Sequence, residues 1–404
     1  MDNFTIKILA LDDETFILNL LGRMLTNLGY TAVATCDNGK AALALVDSQS
    51  DRPNLILLDI NMPEMDGLEF VRHLVERHYT GSIILVSGED ERMQQAAEKL
   101  ARAHQITVLG HLQKPASAEG LAELIRKWRA PSRSEPDVAK KVYSADELRA
   151  AISNGELVNY YQPKVMIATG RVVGVETLVR WRHPVDGIVF PDQFIRLAEA
   201  HGLINDLTRV VLTGALAQSR LWQDKGLMLC VAVNLSMDNL RSLDFVDEVV
   251  GIASRAGMAP QMVELEVTET RLMEDLRTPL EILTRLRLKR FRLSIDDFGI
   301  GNSSLAQLRD LPFDELKIDQ SFVHGACSNE KLRAMFDTSL GLARRLGLEV
   351  VAEGVEDQAD WDFVRKTECD IAQGYFIAKP MPAADLPAWI KSWQEIYPHS
   401  NKRT

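Results

Sequence analysis

The stretch LSIDDFGIGNSS, residues 293–304, joins the pattern of a buried strand to two adjacent acids. Apolar and β-branched residues lead to Asp296 and Asp297, after which the chain breaks into glycines and serines. Two like charges at the end of a buried strand are costly unless a positive group neutralises them. Because alternate side chains of a strand face opposite ways, both acids reach one centre only if the chain turns before Gly299 and Gly301. The stretch therefore predicts a strand end that gathers acidic groups.

Strand-like runs of this kind alternate with helix-like stretches from about residue 157 onward. Eight of them in roughly 250 residues predict a TIM-like (β/α)₈ barrel, in which functional groups lie at the carboxyl ends of the strands. The runs are VNYYQPKV, VVGVETLVRW, CVAVNLS, VELEVTE, RLSIDDFG, ELKIDQSF, EVVAEGVE and IAQGYFIAKP. The polar residues near their carboxyl ends are Glu176, Asn234, Glu266, Glu269, Asp296, Asp297, Lys317, Asp319, Glu353, Glu356 and Gln373.

Five of these residues offer oxygen donors without any histidine, a set that favours hard cations such as Mg²⁺ or Mn²⁺ over zinc. They are Glu176, Asn234, Glu266, Asp296 and Asp297. The carboxylates exceed the needs of one ion, which predicts two metals bridged by one aspartate. Such pairs lie roughly 3.5–4 Å apart and serve in-line phosphoryl displacement.

Other residues near these strand ends suit the rest of a phosphoryl reaction. Lys317 and Asp319 are two residues apart and share a strand face, so the lysine could neutralise a phosphate or orient the attacking water. An interior salt bridge is the alternative interpretation of that pair. Glu353 could take a proton from the water, and Arg180 could bind a substrate phosphate.

The first part of the chain shows a different α/β alternation. The runs IKILAL (6–11), NLILLDI (54–60), SIILVSG (82–88) and ITVLGHLQKP (106–115) are separated by helix-patterned stretches. This order predicts a parallel, doubly wound sheet with functional groups at the carboxyl ends of its strands. Those ends carry acids that suit Mg²⁺ and a hydroxyl and a lysine that suit a phosphoryl group. The residues are Asp12, Asp13, Asp59, Ser87 and Lys114.

These residues, in this order, resemble the receiver domain of two-component response regulators over about residues 5–128. The resemblance implies that Asp59 accepts phosphate from a sensor histidine kinase. It also implies roles for the other strand-end residues: Asp12 and Asp13 help to hold Mg²⁺, Ser87 binds a phosphoryl oxygen, and Lys114 pairs with the phosphoryl group. His111 stands where receivers often carry Tyr or Phe, which leaves open how the signal leaves the domain.

The barrel segments resemble the EAL-type cyclic-di-GMP phosphodiesterases over about residues 145–395. The shared blocks are YQPKV, GVETLVRW, VNLS, ELEVTET, DDFGIGNSSL, LKIDQSFV, VAEGVE and AQGYFIAKPMP. The resemblance implies metal-dependent cleavage of one phosphodiester bond of cyclic di-GMP, which gives linear pGpG. The implied ligands are Glu176, Asn234, Glu266 and Asp296 for the first metal and Asp296, Asp297 and Asp319 for the second. The implied catalytic residues are Glu353 as base, Lys317 as its partner and Glu269 as support of the DDFG loop, and the implied substrate contacts are Gln162, Arg180, Glu356 and Gln373.

Some positions depart from the family pattern. The naming motif reads Glu-Thr-Leu, and Thr177 should point away from the metals, so we expect tolerance there. Ile300 and Asn302 replace the small and aromatic residues that are usual in that loop, which bears on regulation and rate. No GGDEF or GGEEF string occurs, so the accompanying cyclase is absent. The alternative function is a catalytically weak cyclic-di-GMP sensor that signals through a protein partner.

Domain boundaries follow from composition. We predict a receiver domain at 1–128, a linker at 129–144 and the phosphodiesterase barrel at 145–404. The linker is polar and rich in proline and serine, and it runs into a helix with Ser144 as N-cap and Glu147 three residues later.

The totals of the 404-residue chain exclude several classes of protein. A net charge of −11 argues against sequence-independent binding of nucleic acid. No apolar run approaches the ~18 residues of a membrane helix, and the acidic N-terminus does not resemble a signal peptide. The scattered cysteines form no C-x-x-C pair. We therefore expect a cytoplasmic protein without membrane insertion, and a homo-oligomer, because both domain types commonly self-associate in their families.

Overall fold

The computed structural model describes residues 6–48, 51–88, 91–104, 106–128, 143–268, 277–300, 309 and 311–397, with positions 91 and 92 described by backbone alone. The chain divides into two compact units, Met1–Ala139 and Lys140–Thr404.

The first unit contains a five-stranded parallel sheet in the order β2-β1-β3-β4-β5. The strands are β1 Ile8–Leu11, β2 Val33–Cys36, β3 Leu55–Asp59, β4 Ser82–Ser87 and β5 Thr107–Gln113. The helices are Thr15–Asn27, Gly39–Val46, Gly67–Glu76, Glu91–Ala103 and Ala118–Arg126. Because sequence patterning depends on a buried apolar run, it identified every strand except β2, a partly exposed edge strand.

Apolar layers cover both faces of this sheet. Leu9 and Leu11 of β1 pack into one buried cluster, whereas Ile8 and Ala10 pack into another. Alternate residues of a strand face opposite ways, so helices lie on both sides of the sheet. The predicted doubly wound α/β fold is confirmed for this unit.

The second unit is a closed barrel within a ten-stranded sheet of order β15-β6-β14-β13-β12-β11-β10-β9-β7-β8, closed by pairing of β6 with β7. The strands are β6 Leu157–Met166, β7 Val172–His183, β8 Gly187–Val189, β9 Cys230–Leu235, β10 Val263–Thr268, β11 Arg292–Phe298, β12 Glu315–Ile318, β13 Glu349–Ala352, β14 Ile371–Ala372 and β15 Met381–Pro382. The α-helices are Ala145–Asn154, Ile195–Ala200, Ile204–Asp224, Asp244–Arg255, Arg277–Leu288, Gln320–Val323, Glu330–Arg345, Gln358–Val364 and Leu386–Ile396. Short 3₁₀ helices lie at Pro191–Gln193, Met237–Arg241 and Pro260–Met262.

The barrel is confirmed, but its first step differs from the predicted alternation. Strand β6 is antiparallel to both of its barrel neighbours, β7 and β14. The connection from β6 to β7 is a tight turn that includes Gly170 at a φ of 67°, so no helix separates these strands. A parallel pair needs a crossover of a dozen or more residues, which this short segment cannot supply. The expectation of a helix between every pair of runs was therefore wrong for the first pair.

The helix Ala145–Asn154 begins as its sequence predicts. The Ser144 side chain accepts a hydrogen bond from the Glu147 backbone N–H, and the Glu147 carboxylate accepts one from the Ser144 backbone N–H. Such a reciprocal capping box satisfies two of the amide groups that a helix start leaves unpaired. Within the described residues, no helix combines the length and the apolar character that crossing a membrane requires.

Candidate functional site

Lys317 lies at the centre of the acids at the carboxyl ends of the barrel strands. Its side chain is 1% exposed. Its Nζ atom lies 2.7 Å from Glu353 Oε1 and 3.0 Å from Glu266 Oε2. The same atom lies 3.1 Å from Asp296 Oδ1 and 3.6 Å from Glu176 Oε2. The positive group that the paired acids require is therefore, among the described residues, a buried lysine on β12.

A backbone irregularity explains how adjacent acids face one side. The register of β11 against β12 shifts between Ile295 and Phe298, and Asp297 adopts a φ of 56° in the left-handed region. This conformation is uncommon outside glycine but is tolerated by Asp and Asn. The turn predicted before Gly299 and Gly301 is present, and it includes Asp297.

Glu176 is held by amide side chains on both of its oxygens. Asn234 Nδ2 donates to Oε1 at 2.7 Å, and Gln373 Nε2 donates to Oε2 at 2.5 Å. Gln373 Nε2 also donates to Gln162 Oε1 at 3.1 Å, and Gln162 Nε2 donates to the Ala378 carbonyl at 3.0 Å. The predicted ligands and substrate contacts from β6, β7, β9 and the β14 end therefore meet at one point.

A cavity of about 340 Å³ opens above these side chains. Its lining residues are Gln162, Glu176, Leu178, Asp297, Asp319, Gln320, Glu353, Gly354, Glu356, Gln373, Gly374 and Tyr375. Asp319 lies at its wall and caps the helix Gln320–Val323, accepting from the Ser321 backbone N–H at 2.9 Å. Gly354, at a φ of 65°, packs so closely on Gln320 that any Cβ there would overlap it. Backbone contact therefore joins the loop after Glu353 to the helix after Asp319.

Burial and like charge shift the pKa values of several of these acids. Burial, followed by Asp296 and Asp319, raises the pKa of Asp297 to about 6. Burial also raises the pKa of Glu353 against the lowering effect of Lys317. When neighbouring acids oppose one another's ionisation, a cation placed among them stabilises their charged forms.

Among the other predicted residues, Arg180 is not part of the cavity lining, Glu356 lines the cavity, and Glu269 lies outside the described residues. Arg180 is buried between aromatic rings, 4.9 Å from the Phe190 centroid and 5.6 Å from the Tyr160 centroid, and burial lowers its pKa. Glu356 lines the cavity but is exposed. Glu269, predicted to support the DDFG loop, and Asn302 lie outside the described residues. Thr177 is buried and lines a separate cavity behind the strand, as its alternation with Glu176 predicts.

Oxygen donors here form two overlapping sets that fit divalent cations. Ligand atoms of Glu176, Glu266 and Asp296 lie within 4.8 Å of one another, as do those of Asp296, Asp297 and Glu353. Asp296 belongs to both sets. Hard cations with oxygen ligands suit such carboxylates, and the donor chemistry matches the predicted metals.

Some side chains that organise the site were missed by sequence reasoning. Lys164 lies in the barrel interior against Glu266. The signal was present, because Lys164 is two residues after Gln162 on the same strand. Asp360, which is buried, accepts hydrogen bonds from the Gly325 and Glu356 backbone N–H groups. No periodic pattern distinguishes Asp360 from an ordinary helix acid.

In the first unit, the predicted strand-end residues also converge. Lys114 Nζ lies 2.8 Å from Asp12 Oδ2 and 2.9 Å from Asp59 Oδ2. Ligand atoms of Asp12, Asp13 and Asp59 lie within 4.8 Å of one another. Burial raises the pKa of Asp59, although the hydrogen bond from Lys114 opposes this shift. Ser87 is buried at the end of β4, next to the end of β3 that carries Asp59. In another part of the unit, His111 Nδ1 lies 3.4 Å from Glu98 Oε2.

Comparison with known proteins matches two separate parts of the chain. A family model described as EAL domain matches residues 145–380, and one described as response regulator receiver domain matches residues 8–126. The cyclic di-GMP phosphodiesterase RocR of Pseudomonas aeruginosa is 33% identical over 382 residues, which are 93% of this chain and 96% of the relative. The cyclic di-GMP phosphodiesterase NbdA of the same organism is 42% identical over 250 residues, covering 62% of this chain and 32% of the relative.

A solved structure matches a share of this chain close to that matched by NbdA. The PaMucR phosphodiesterase in a c-di-GMP complex aligns with a TM-score of 0.57 at 41% identity, over 60% of this chain and 98% of that chain.

Proposed function

Since this chain belongs to the EAL domain family and carries a response regulator receiver domain, we propose that it hydrolyses cyclic di-GMP to linear pGpG with two divalent cations, Mg²⁺ or Mn²⁺. Relatives named as cyclic di-GMP phosphodiesterases support the substrate. The observation that carries the proposal is the buried set of oxygen donors around Lys317, with Glu353 at its edge.

The acids divide into two proposed ligand sets that share Asp296. One set is Glu176, Asn234, Glu266 and Asp296, and the other is Asp296, Asp297 and Asp319. Bound cations would supply Lewis-acid stabilisation of the phosphoryl oxygens and a water of lowered pKa. The support for this division is that Glu176, Glu266 and Asp296 form one acid group and that Asp297 joins Asp296 in a second one. Asn234 is assigned through its contact with Glu176, and Asp319 through its place in the wall of the same cavity as Asp297.

Glu353 acts as the base in the proposed reaction. It accepts a proton from the attacking water, whose oxygen bonds to phosphorus while the bond from phosphorus to the 3′ oxygen breaks. The leaving oxygen gains a proton, so one water is consumed for each bond cleaved. Lys317, 2.7 Å from Glu353, orients the carboxylate, while Gln162, Arg180, Glu356 and Gln373 contact the substrate.

The test is release of linear dinucleotide by the purified full-length chain with Mg²⁺ or Mn²⁺, followed by chromatography. We expect turnover by the wild type, its loss in EDTA, and loss in Glu353→Gln. Tight binding of cyclic di-GMP by the wild type without turnover would instead favour the alternative function, a non-catalytic sensor.

Phosphorylation at Asp59 is the proposed input. Its buried carboxylate beside Lys114, Asp12 and Asp13 supports phosphoryl transfer from a sensor histidine kinase with Mg²⁺. We expect an acyl-phosphate donor to label the wild type and to change its turnover, and to do neither in Asp59→Asn. Equal turnover of labelled and unlabelled wild type would contradict the proposal that phosphorylation of Asp59 controls the activity.

The domain limits and the assembly remain part of the proposal. The receiver is assigned to 1–128, the linker to 129–144 and the catalytic barrel to 145–404. A homo-oligomer is expected, and sedimentation of the full chain tests it.

A further inference from the structure

Strand β6 carries a lysine into the barrel directly beneath the candidate site. Lys164 is 3% exposed. Its Nζ atom lies 2.7 Å from Glu264 Oε1, 2.7 Å from Glu266 Oε1 and 3.1 Å from Glu315 Oε1. Lys164 follows Gln162 by two residues, so it enters the same interior at a deeper level of the barrel. The reaction proposed above gives this lysine no role.

Glu266 is bound on each of its oxygens by a different lysine. Lys164 Nζ donates to Oε1 at 2.7 Å, and Lys317 Nζ donates to Oε2 at 3.0 Å. The terminal torsion of a glutamate is otherwise broad, so this double contact defines the plane of the carboxylate. Because Glu266 is fully buried, the loss of either partner leaves a desolvated carboxylate oxygen that is costly to keep unpaired.

Lys164 is itself held by partners below the site. Glu264, one of its partners, also accepts from Arg292 Nε at 3.0 Å. Glu315, another partner, also accepts from Ser294 Oγ at 2.9 Å. The ammonium therefore has a position that does not depend on Glu266.

We infer that Lys164 is a positioning residue of the cation site, which holds Glu266 so that its second oxygen faces Lys317 and the other candidate ligands. The inference rests on the proposed function, since it requires Glu266 to be a metal ligand. Mutation of a group that orients a metal ligand from behind typically lowers metal affinity or activity by about 10- to 100-fold.

A purely electrostatic role and a positioning role of Lys164 predict opposite changes in cation affinity when the lysine is removed. Loss of a nearby positive charge strengthens the Coulomb attraction of the acids for a cation, so a purely electrostatic role predicts tighter binding in Lys164→Met. Loss of the hold on Glu266 predicts weaker binding. The direction of the change therefore separates the two roles.

The experiment measures binding of Mn²⁺ alone to the substrate-free full chain by electron paramagnetic resonance. The cation site proposed in the receiver is unchanged in every variant, so differences between variants report the barrel site. We expect Lys164→Met to weaken Mn²⁺ binding by about 10- to 100-fold. Lys164→Arg, which keeps the positive charge and can still donate to Glu266, should stay within about threefold of the wild type. Turnover at saturating Mn²⁺ should also fall in Lys164→Met, with KM for the dinucleotide less affected.

A second variant keeps the test valid if Lys164→Met fails to fold, because the single change leaves buried acids without their shared cation. Lys164→Met/Glu315→Gln restores the net charge of the cluster and still lacks the contact to Glu266. Its Mn²⁺ affinity should also fall by about 10-fold or more, whereas Glu315→Gln alone should stay within about threefold of the wild type.

The outcomes separate this inference from the proposed function. Wild-type protein that neither binds Mn²⁺ nor cleaves cyclic di-GMP overturns the proposed function and the inference with it. Wild-type protein that does both, with unchanged or tighter Mn²⁺ binding in the folded Lys164→Met variants, overturns the inference alone. A shift in thermal stability without any change in Mn²⁺ affinity has the same meaning, because it marks a merely structural lysine.

Discussion

The buried Lys317 and the partly buried Glu353 form an ion pair in which Nζ lies 2.7 Å from Oε1. The lysine comes from β12 and the glutamate follows β13, so neighbouring strands supply the partners. The same ammonium also contacts Asp296 at 3.1 Å. A carboxylate that is oriented by a lysine and lies among candidate metal ligands is well placed to take a proton from water at a phosphate.

Replacing Glu353 with glutamine tests its role as base. Glu353→Gln keeps the shape of the side chain but removes the proton acceptor, so turnover should fall by about 10²- to 10⁴-fold. Binding of cyclic di-GMP, measured by calorimetry with Ca²⁺ in place of Mg²⁺, should persist. Glu349→Gln is the matched control at the other end of β13 and should retain turnover. Equal activity of Glu353→Gln and the wild type would remove Glu353 from the mechanism.

Removing the central lysine should destabilise the metal-free barrel. Lys317→Met leaves buried carboxylates without their shared cation, which costs about 3–5 kcal/mol of unfolding free energy when one partner of a buried pair is lost. Mn²⁺ should raise the melting temperature of this variant more than that of the wild type, because a cation can replace the missing charge. Lys391→Met, an exposed lysine, is the control. A Lys317→Met protein as stable as the wild type in EDTA would contradict this account.

Much of the fold was predictable because buried strands have strong apolar patterns. Runs such as Leu55–Asp59 are buried throughout and stand out in the sequence. The edge strand Val33–Cys36 is half exposed, so its pattern is weak. The antiparallel start of the barrel was missed because direction depends on the length of the turn and not on the composition of the strand.

The site was predictable where a residue lies in or directly after a clear strand run, and unpredictable where partners come from far away. Glu176 lies in β7, Asp296 lies in β11 and Glu353 follows β13, and all three converge on Lys317 as expected. The contact of Lys164 with Glu315 spans 151 positions, and no local pattern encodes it. A turn before Gly299 was predicted, but its left-handed residue, Asp297, was not, because residues other than glycine seldom adopt that conformation.

Asp297 should make the metal-free protein less stable as the pH rises. Its pKa is about 6 in the folded protein, where burial and then Asp296 and Asp319 oppose ionisation. The usual value of an unfolded aspartate is about 3.9. The folded state therefore binds more protons between these values, and stability falls as the pH rises from about 4 through about 6.

Asp297→Asn isolates this contribution. Asparagine accepts the left-handed conformation and carries no charge. The melting temperature of the variant in EDTA should therefore fall less between pH 5 and pH 8 than that of the wild type. Asp297→Ala should be less stable than Asp297→Asn by about 1–2 kcal/mol, because alanine does not tolerate this conformation. If the melting temperatures of the wild type and Asp297→Asn depend on pH in the same way, the ionisation of Asp297 does not destabilise the folded protein.

The His324 ring provides a pH-dependent contact next to the loop that carries Glu353 and Glu356. Its Nδ1 atom lies 2.8 Å from Asp360 Oδ2, and the same carboxylate accepts from the Glu356 backbone N–H at 3.1 Å. The hydrogen bond to Asp360 raises the pKa of His324. The stabilising contribution is therefore fully present below the unfolded value of about 6.5 and is lost as the pH rises through the folded value.

His324→Gln should therefore be less stable than the wild type at pH 6, and the difference should shrink at pH 9. The effect should be small, because the ring is half exposed. Thermal unfolding of both proteins across this pH range measures it, with His201→Gln as a control at an exposed histidine far along the chain from Asp360. A stability difference that stays constant from pH 6 to pH 9 would mean that the contact acts through a neutral hydrogen bond, and the charge on His324 would then have no part in holding the Glu356 loop.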